Sequence, residues 1–486
     1  MINHQVWKFA VRFIMVTAAI TLVLMPSLAL NAAQRTGRQR QPNIILILAD
    51  DLGYGDLGCY GQKFFKTPYL DRMAQEGIRF TQCYASSPVC APSRASLMTG
   101  LHQGHAYIRG NMGLNNERVP LRPQDVTVAE VLKSAGYRTG VIGKWGLGEP
   151  DSTGLPNRQG FDYWFGYLNQ NHAHNYYPDY LWRQEERVTI PTGTYSPDLF
   201  TQEALDFIRR ERGQPFFLYL AYIIPHANNE LTRQTGNGME VPSDAPYSNE
   251  QWSPQQKNYA AMVTRLDAEI GKILALLKEL ELDDDTLVFF SSDNGPQGKN
   301  EGGFDPEFFR SHGSLRGIKR DLYEGGIRVP MIARWPGKIR ARQVSDHVWT
   351  QWDFLPTTAA IAGAQAPTGI DGISMLPVFL GRQQANHKYL YWEFHEGGFA
   401  QAVRMGRWKA VRRGLSSPLE LYDLQTDIGE TRDLAGKQTE MVSRIAEIMK
   451  REHVESEHWP VRGGTTILGK ATNEAFSGQR GKETKK

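Results

Sequence analysis

Apolar runs that stop abruptly at polar residues recur along the chain. Ile44 to Ala49 stops at Asp50-Asp51, and Tyr137 to Ile142 stops at Gly143-Lys144. Phe216 to Ile224 stops at Pro225-His226, and Thr286 to Phe290 at Ser291-Ser292-Asp293-Asn294. Runs of this length suit strands buried on both faces, as in a parallel sheet. Helical patterns lie between them. Thr67-Pro68 opens one that Gly77 can close. Thr127 and Glu130 form a capping box ahead of Val131-Leu132. Met262, Leu266, Ile270, Ile273, Leu277 and Leu280 repeat at steps of three and four, the spacing of an amphipathic helix. Strands alternating with helices predict an α/β fold with helices on both faces of the sheet. Ligands of such folds bind beyond the carboxyl ends of the strands. Asp50, Asp51, Lys144, His226, Asp293 and Asn294 all fall at those ends and are predicted to converge.

The pattern changes around residues 365–385, where Ala366-Pro367, Gly369 and Gly381 mark a boundary. Short strand-like runs follow at Tyr389–Trp392, Gln401–Arg404 and Trp408–Val411, then a helix near Glu440–His453. This predicts an α/β domain over 42–380 and a smaller C-terminal α+β unit over 381–456, with a polar tail over 457–486. At the other end, Lys8 and Arg12 precede the apolar run Phe13–Leu24, followed by Pro26, Ser27 and Ala29. That is the layout of a signal peptide over 1–33, cleaved within Ala29–Ala33 and followed by a linker over 34–41. An uncleaved anchor is the other reading, but the run is short for a membrane span. Export to the periplasm or the extracellular space is therefore expected.

The 486 residues are enough for more than one buried core. Net charge is +3 and falls to +1 once Lys8 and Arg12 leave with the signal. No nucleic-acid footprint is present, and any selectivity for anions must be local. The three cysteines are Cys59, Cys83 and Cys90, and an odd number leaves at least one free or modified. Pairing of Cys59 with Cys83 is left open.

Two adjacent carboxylates at a buried strand end repel each other and resist desolvation, and a cation relieves both. Asp50, Asp51 and Asp293 with the Asn294 amide oxygen make a hard, oxygen-only set, which favours calcium or magnesium over zinc. Gly53-Tyr54-Gly55-Asp56-Leu57-Gly58 matches G-x-G-x-x-G. Two aspartates stand between it and its strand, where a pyrophosphate would need positive potential, so the glycines are read as serving tight folding. In Cys90-Ala91-Pro92-Ser93-Arg94, Pro92 suits the first turn of a helix that Gly100 ends. Cys90 is thus placed just before a helix N-terminus, a ready anion site, with Arg94 as a fixed cation. That points to chemistry on a sulfate or phosphate ester. Lys144 and Lys319 are further cations, and His226 is a candidate general acid. The stretch Asn169–Pro178 carries His172, His174, Asn175, Tyr176 and Tyr177, suited to contacting a sugar; metal binding by His172 and His174 and plain loop packing are the alternatives.

Taken in order, these motifs resemble the type I, formylglycine-dependent sulfatases of the alkaline phosphatase superfamily, arylsulfatase-like and similar to exported bacterial glycan sulfatases. The resemblance runs from about Pro42 to Leu434. It rests on Pro42-Asn43-Ile44 through Asp50-Asp51, the Cys90 signature, Gly143-Lys144-Trp145 and Ser292-Asp293-Asn294-Gly295. Leu315-Arg316-Gly317 through Tyr323-Glu324-Gly325-Gly326 and Leu421-Tyr422-Asp423-Leu424 complete it. It implies a large mixed, mostly parallel sheet sandwiched by helices, and sulfate ester hydrolysis by an exo-acting carbohydrate sulfatase. It implies calcium, in preference to magnesium, on Asp50, Asp51, Asp293 and Asn294, with Cys90 oxidised to formylglycine as a further ligand. Arg94, Lys144 and Lys319 would contact nucleophile and sulfate, and His226, assisted by Lys319, would protonate the leaving oxygen. The implied partners are a sulfated carbohydrate and a formylglycine-generating or sulfatase-maturing enzyme, with no nucleic acid and no stable membrane span. One departure stands out. Where the family commonly reads Gly-Lys-Trp-His-Leu-Gly, this chain has Gly146 in place of the histidine. The alternatives are a phosphonate or phosphate monoester hydrolase of the same superfamily, and a non-catalytic, calcium-dependent binder of sulfated glycans.

Overall fold

The computed structural model describes residues 41–462 together with 465 and 466. The expected signal segment 1–33, the linker 34–41 except Gln41, and most of the tail from 457 lie outside the described residues. The main sheet contains β1 (Asn43–Ala49), β2 (Ile78–Tyr84), β3 (Arg138–Lys144), β4 (Tyr163–Tyr167), β5 (Tyr180–Arg183) and β6 (Glu186–Thr189). It continues with β7 (Phe216–Ala221), β8 (Thr286–Ser292), β9 (Arg328–Arg334), β10 (Gln343–Ser345) and β11 (Trp349–Thr350). The 11 strands run in the order β10-β2-β9-β8-β1-β7-β3-β4-β5-β6, with β11 beside β2. The centre, β8-β1-β7-β3-β4, is parallel throughout. Antiparallel pairing enters where β9 lies between β8 and β2, and at the β4-β5-β6 edge.

The alternation within β1 shows why its run is apolar at every position. Ile45, Ile47 and Ala49 enter the core on one face, and Ile44, Leu46 and Leu48 enter the core on the other. Helices Pro68–Glu76, Ser196–Glu211 and Pro254–Glu279 cover the first face. Helices Cys90–Thr99, Val128–Ser134 and Phe354–Ala362 cover the second. The Thr127–Glu130 capping box forms as expected, with both side chains accepting the other residue's backbone N–H.

Two runs differ from the expected elements. Strand β7 ends at Ala221, and the apolar run continues through buried Tyr222, Ile223 and Ile224 into a cis Ile224–Pro225 peptide. His226 therefore lies a turn beyond its strand. Strand β9 contains Pro330 in the sheet interior, and the β2 register shifts opposite it, between Phe80 and Cys83. Proline cannot donate to a ladder, and a bulge removes the demand for that donor.

The C-terminal sheet is antiparallel: β12 (Leu390–Phe394), β13 (Ala400–Met405), β14 (Trp408–Arg413) and β15 (Glu420–Asp423). The helix Thr439–Glu452 lays Ile445, Ile448 and Met449 against Tyr391, Val403, Ala410 and Leu421. On the opposite face, Trp392 and Phe394 pack with Tyr84, Val89 and Trp352 of the larger unit. The polar tail expected from 457 begins with an anchor. Trp459 is fully buried, its indole N–H donating to the Met112 carbonyl at 3.0 Å. Among the described residues, no helix is long and apolar enough to cross a membrane.

Candidate active site

The parallel centre of the sheet aims the ends of β1, β3 and β8 at one place. Asp50 and Asp51 follow β1, Lys144 ends β3, and Asp293 and Asn294 follow β8. Asp51 takes a left-handed backbone, φ 64°, fixed by its N–H to Asp293 Oδ1 at 3.2 Å and by Leu52 N–H to Ser292 Oγ at 2.9 Å. The chain then folds tightly against residues 310–313. A Cβ on Gly53 would lie 2.1 Å from the Ser311 carbonyl oxygen, and one on Gly55 2.3 Å from that of Arg310. The glycine pattern therefore serves close backbone approach.

Cys90 is the first residue of its helix, with Val89 as the cap, rather than lying just before it. The whole helix is buried, and Gly100 closes it in the left-handed conformation. Ser93 Oγ lies 2.5 Å from the Asp293 carbonyl and 2.8 Å from Gln351 Oε1, while Gln351 Nε2 donates to the Ser292 carbonyl at 2.6 Å. Gln351 thus ties the helix to the end of β8. No local pattern singles it out, because its partners are distant in sequence.

The predicted catalytic and metal-site residues meet in one buried cluster. Cys90 Sγ is 3.4 Å from Asp50 Oδ1, and Lys144 Nζ is 2.6 Å from Asp50 Oδ2. Arg94 donates from Nε and Nη2 to Asp293 Oδ2 at 2.9 and 2.8 Å, and from Nη1 to the Lys144 carbonyl at 2.7 Å. Lys319 Nζ is 2.7 Å from Asp51 Oδ2 and 3.1 Å from His226 Nε2. Asn294 Nδ2 donates to Asp51 Oδ1 at 2.6 Å. Its Oδ1 is buried with no hydrogen-bond partner among the described residues. Three carboxylates beside an orphaned amide oxygen fit a hard divalent cation.

The electrostatics agree with that donor set. Burial raises Asp51 to about 7, with the neighbouring Asp50 and Asp293 charges adding and Lys319 opposing. Asp293 is raised too, by burial and then by Asp50, against Arg94. Burial also acts upward on Asp50, yet Lys144, Arg94 and Lys319 hold it well below the usual carboxylate range. Burial and then the Asp50 charge push the Cys90 thiol well above its ordinary value. These two effects outweigh the helix terminus, so the unmodified residue is a neutral thiol and a poor nucleophile. His226 is driven well below the ordinary histidine value by burial and then by Lys319. Its Nδ1 lies 2.7 Å from the Ala227 carbonyl oxygen, which can only accept, so Nδ1 carries the proton and Nε2 presents a lone pair to Lys319.

The two loop histidines separate. His174 stacks on His226, with ring centroids 4.8 Å apart, and its Nδ1 meets Glu230 at 2.9 Å. His172 packs between Tyr167 and Tyr180 instead. A second group near the site had no signal of its own: Glu301 lies 3.8 Å from Lys319 and is ion-paired to Arg320, which in turn approaches Glu396. All three cysteines are free, so Cys59 and Cys83 do not pair.

Comparison with known proteins agrees with this geometry. The family model described as Sulfatase matches residues 42–364, and that described as N-sulphoglucosamine sulphohydrolase, C-terminal, matches 316–457. The chain is 36% identical over 417 residues to N-acetylgalactosamine-6-sulfatase of Canis lupus familiaris, covering 80% of this chain and 74% of that one. It is 32% identical over 492 residues to human arylsulfatase A, covering 87% and 89%. The crystal structure of Ps i-CgsB in complex with k-i-k-neocarrahexaose superposes with a TM-score of 0.76 at 28% identity, covering 91% and 98%.

Proposed function

The chain belongs to the sulfatase family and is a sulfuric ester hydrolase; from that premise we propose that it is an exo-acting carbohydrate sulfatase, with formylglycine at position 90 and calcium as its metal. The observation that carries the reading is the gathering of Cys90, three carboxylates, Arg94, Lys144 and Lys319 in one buried cluster. Oxidised to formylglycine and hydrated, residue 90 supplies two hydroxyls on one carbon, one to take the sulfuryl group and one to release it as sulfate. Asp50, Asp51, Asp293 and Asn294 would hold calcium, which supplies positive charge against the sulfuryl oxygens.

The remaining roles belong to the side chains. Lys144 and Arg94 are fixed by Asp50 and Asp293, so their charges are in place before substrate arrives. Burial opposes the charge on Lys319, yet Asp51 keeps it above the ordinary lysine range. Lys319 thus holds the proton for the leaving oxygen, and neutral His226, accepting at Nε2, orients the ammonium that carries it. His174, stacked on His226, is kept as a sugar contact. His172, held among tyrosines, is not. The N-acetylgalactosamine-6-sulfatase relative, named for a sulfated sugar, supports a carbohydrate substrate. The same reading includes export to the periplasm or beyond and oxidation of Cys90 by a maturing enzyme.

The test is at residue 90. Cys90→Ala is expected to abolish turnover of sulfated sugars and aryl sulfates while the melting temperature stays close to that of the parent. Mass spectrometry of the peptide from active protein should find the aldehyde or its hydrate. An unmodified thiol in fully active protein would defeat the formylglycine reading, and faster turnover of phosphonate than sulfate esters would move the chain to the alternative hydrolase class.

A further inference from the structure

Arg320 holds a backbone conformation that its residue type disfavours. Its φ is 75°, in the left-handed region where glycine is at ease and a long side chain is strained. Strain kept at one position points to a use for the side chain that occupies it. The main chain fixes where that side chain starts. Arg320 N–H donates to the carbonyl of Pro88, in the segment leading into Cys90, at 3.0 Å, and Lys319 directly precedes it. The Arg320 side chain is 44% exposed, against 3% for Lys319. Arg320 therefore stands on the solvent side of the lysine that serves the leaving oxygen.

Two carboxylates flank the guanidinium. Glu301 pairs with Nη1 through Oε1, and its Oε2 lies 3.8 Å from Lys319 Nζ. Glu396, from the turn between β12 and β13, places Oε2 3.8 Å from Arg320 Nε. Its Oε1 accepts the Asn111 N–H at 2.8 Å, and Asn111 Oδ1 accepts the N–H of Ala91, beside Cys90, at 3.0 Å. These contacts form an arc from the neighbour of residue 90 to Lys319, so a sugar whose leaving oxygen faces Lys319 lies against it. The gap between Arg320 Nε and Glu396 Oε2 is too long for a hydrogen bond. One hydroxyl oxygen can sit within about 2.8 Å of both, accepting from Nε and donating to the carboxylate. A second sulfate has no proton to donate, and two carboxylates outweigh one guanidinium against it. We propose that Arg320 and Glu396 form a subsite for a free hydroxyl of the sugar that carries the scissile sulfate, and that they select against a second sulfate at that position. The inference rests on the carbohydrate sulfatase reading above.

The test uses the holoenzyme, with oxidation at residue 90 checked by peptide mass spectrometry. Its substrates are a nitrophenyl sulfate, the best-turned member of a panel of monosulfated hexoses and hexosamines, and that sugar with a second sulfate on an adjoining carbon. The parent should favour the monosulfated over the disulfated sugar by about ten-fold or more in kcat/KM. Arg320→Gly removes the guanidinium and relieves the backbone. Glu396→Gln keeps an oxygen for Asn111 but loses the second acceptor. Both should lower kcat/KM on the monosulfated sugar by about ten-fold, chiefly through KM, and by a clearly larger factor than on the nitrophenyl sulfate. Glu396→Gln should also narrow the preference over the disulfated sugar. A parent that favours the disulfated sugar would make Arg320 an anion site and overturn the proposal. So would variants that match the parent on every substrate, or that lose equally on sugar and nitrophenyl sulfate, the latter with a lowered melting temperature marking a structural strut. A parent that hydrolyses the nitrophenyl sulfate but no sugar would instead sink the carbohydrate reading, and one that turns over neither would sink the sulfatase reading.

Discussion

The proton that a sugar alkoxide needs on departure is not on His226 in this structure. The ring donates from Nδ1 to a backbone carbonyl and turns its Nε2 lone pair to the Lys319 ammonium. An alkoxide is far more basic than a nitrophenolate and depends more on that proton. His226→Ala should therefore slow a sulfated sugar by about 10²–10³-fold and a nitrophenyl sulfate by about ten-fold or less. Equal losses on both would assign His226 to sulfate binding. The pH profile distinguishes the proton's owner. A histidine acid of ordinary pKa would lose activity as pH rises past about 6.5. Lys319 is raised above the lysine range, so the alkaline limb should remain flat to beyond about pH 8. Lys319→Ala is the poorer probe, since it also leaves Asp51 buried without its ion pair. What the sequence disclosed at this scale follows from covalent neighbourhood. Cys90, Arg94, Asp50, Asp51, Asp293 and Asn294 stand in short motifs at element ends and were legible. Gln351 and Glu301 act through partners remote in the chain, and nothing near them in sequence marks them.

At the scale of elements, the uninterrupted runs identified β1, β7 and β8, because a strand buried on both faces leaves no polar position to confuse the pattern; β3, with Arg138 exposed at its start, was marked by Val141-Ile142 and the stop at Gly143-Lys144. Strand β9 was missed because Pro330 and its flanking arginines break the same pattern, although it lies in the sheet interior. The His102, His105, Asp371 and Glu452 cluster, which brings the C-terminal helix to the loop after the Cys90 helix, was also missed. It has metal-like composition, but Gly104 N–H donates to His102 Nδ1 at 3.1 Å, so neutral His102 carries its proton on Nε2 and offers it to Glu452 at 3.3 Å. The cluster is thus a hydrogen-bonded latch. The hydrogen bond to Asp371 raises His105 above 6.5. That contribution is fully present below the unfolded value of about 6.5 and is lost as pH rises through the folded one. Hydrogen bonding by His102, above all, lowers Glu452 to about 2, so its contribution is present above about 4.5 and is lost as pH falls toward 2. The latch is therefore firmest between about pH 5 and 6.5. Asp371→Asn should lower the melting temperature by about a degree or two more at pH 6 than at pH 8.5. An equal difference at both values would remove His105 from the account.

For the whole molecule, the parallel centre of the sheet decides where the charge accumulates. Each strand end brings its own acid or base, and the acids are restrained by Lys144, Arg94 and Lys319. Asn294 Oδ1 remains unpaired. A cation that binds only the folded chain stabilises it by about 2.7 kcal/mol at a hundred times its dissociation constant. The choice of variant matters, because Asp293 is also the partner of Arg94. Asp293→Ala would leave the buried Arg94 guanidinium only its longer, 3.6 Å contact with Asp50 and destabilise by about 3 kcal/mol, whatever the metal does. Asn294→Ala leaves every cation paired, removing the orphaned oxygen and the amide's hydrogen bonds to Asp51 and Gly295. In the Cys90→Ala background, where turnover cannot interfere, calcium should raise the melting temperature and a chelator should reverse the rise. Adding Asn294→Ala should lower the metal-free melting temperature modestly and shrink the calcium-induced rise. A calcium response that survives Asn294→Ala undiminished would strike that oxygen from the ligand set. No response to calcium or magnesium in the Cys90→Ala protein would remove the metal from the site, and the three carboxylates would then have to be held by the three cations alone.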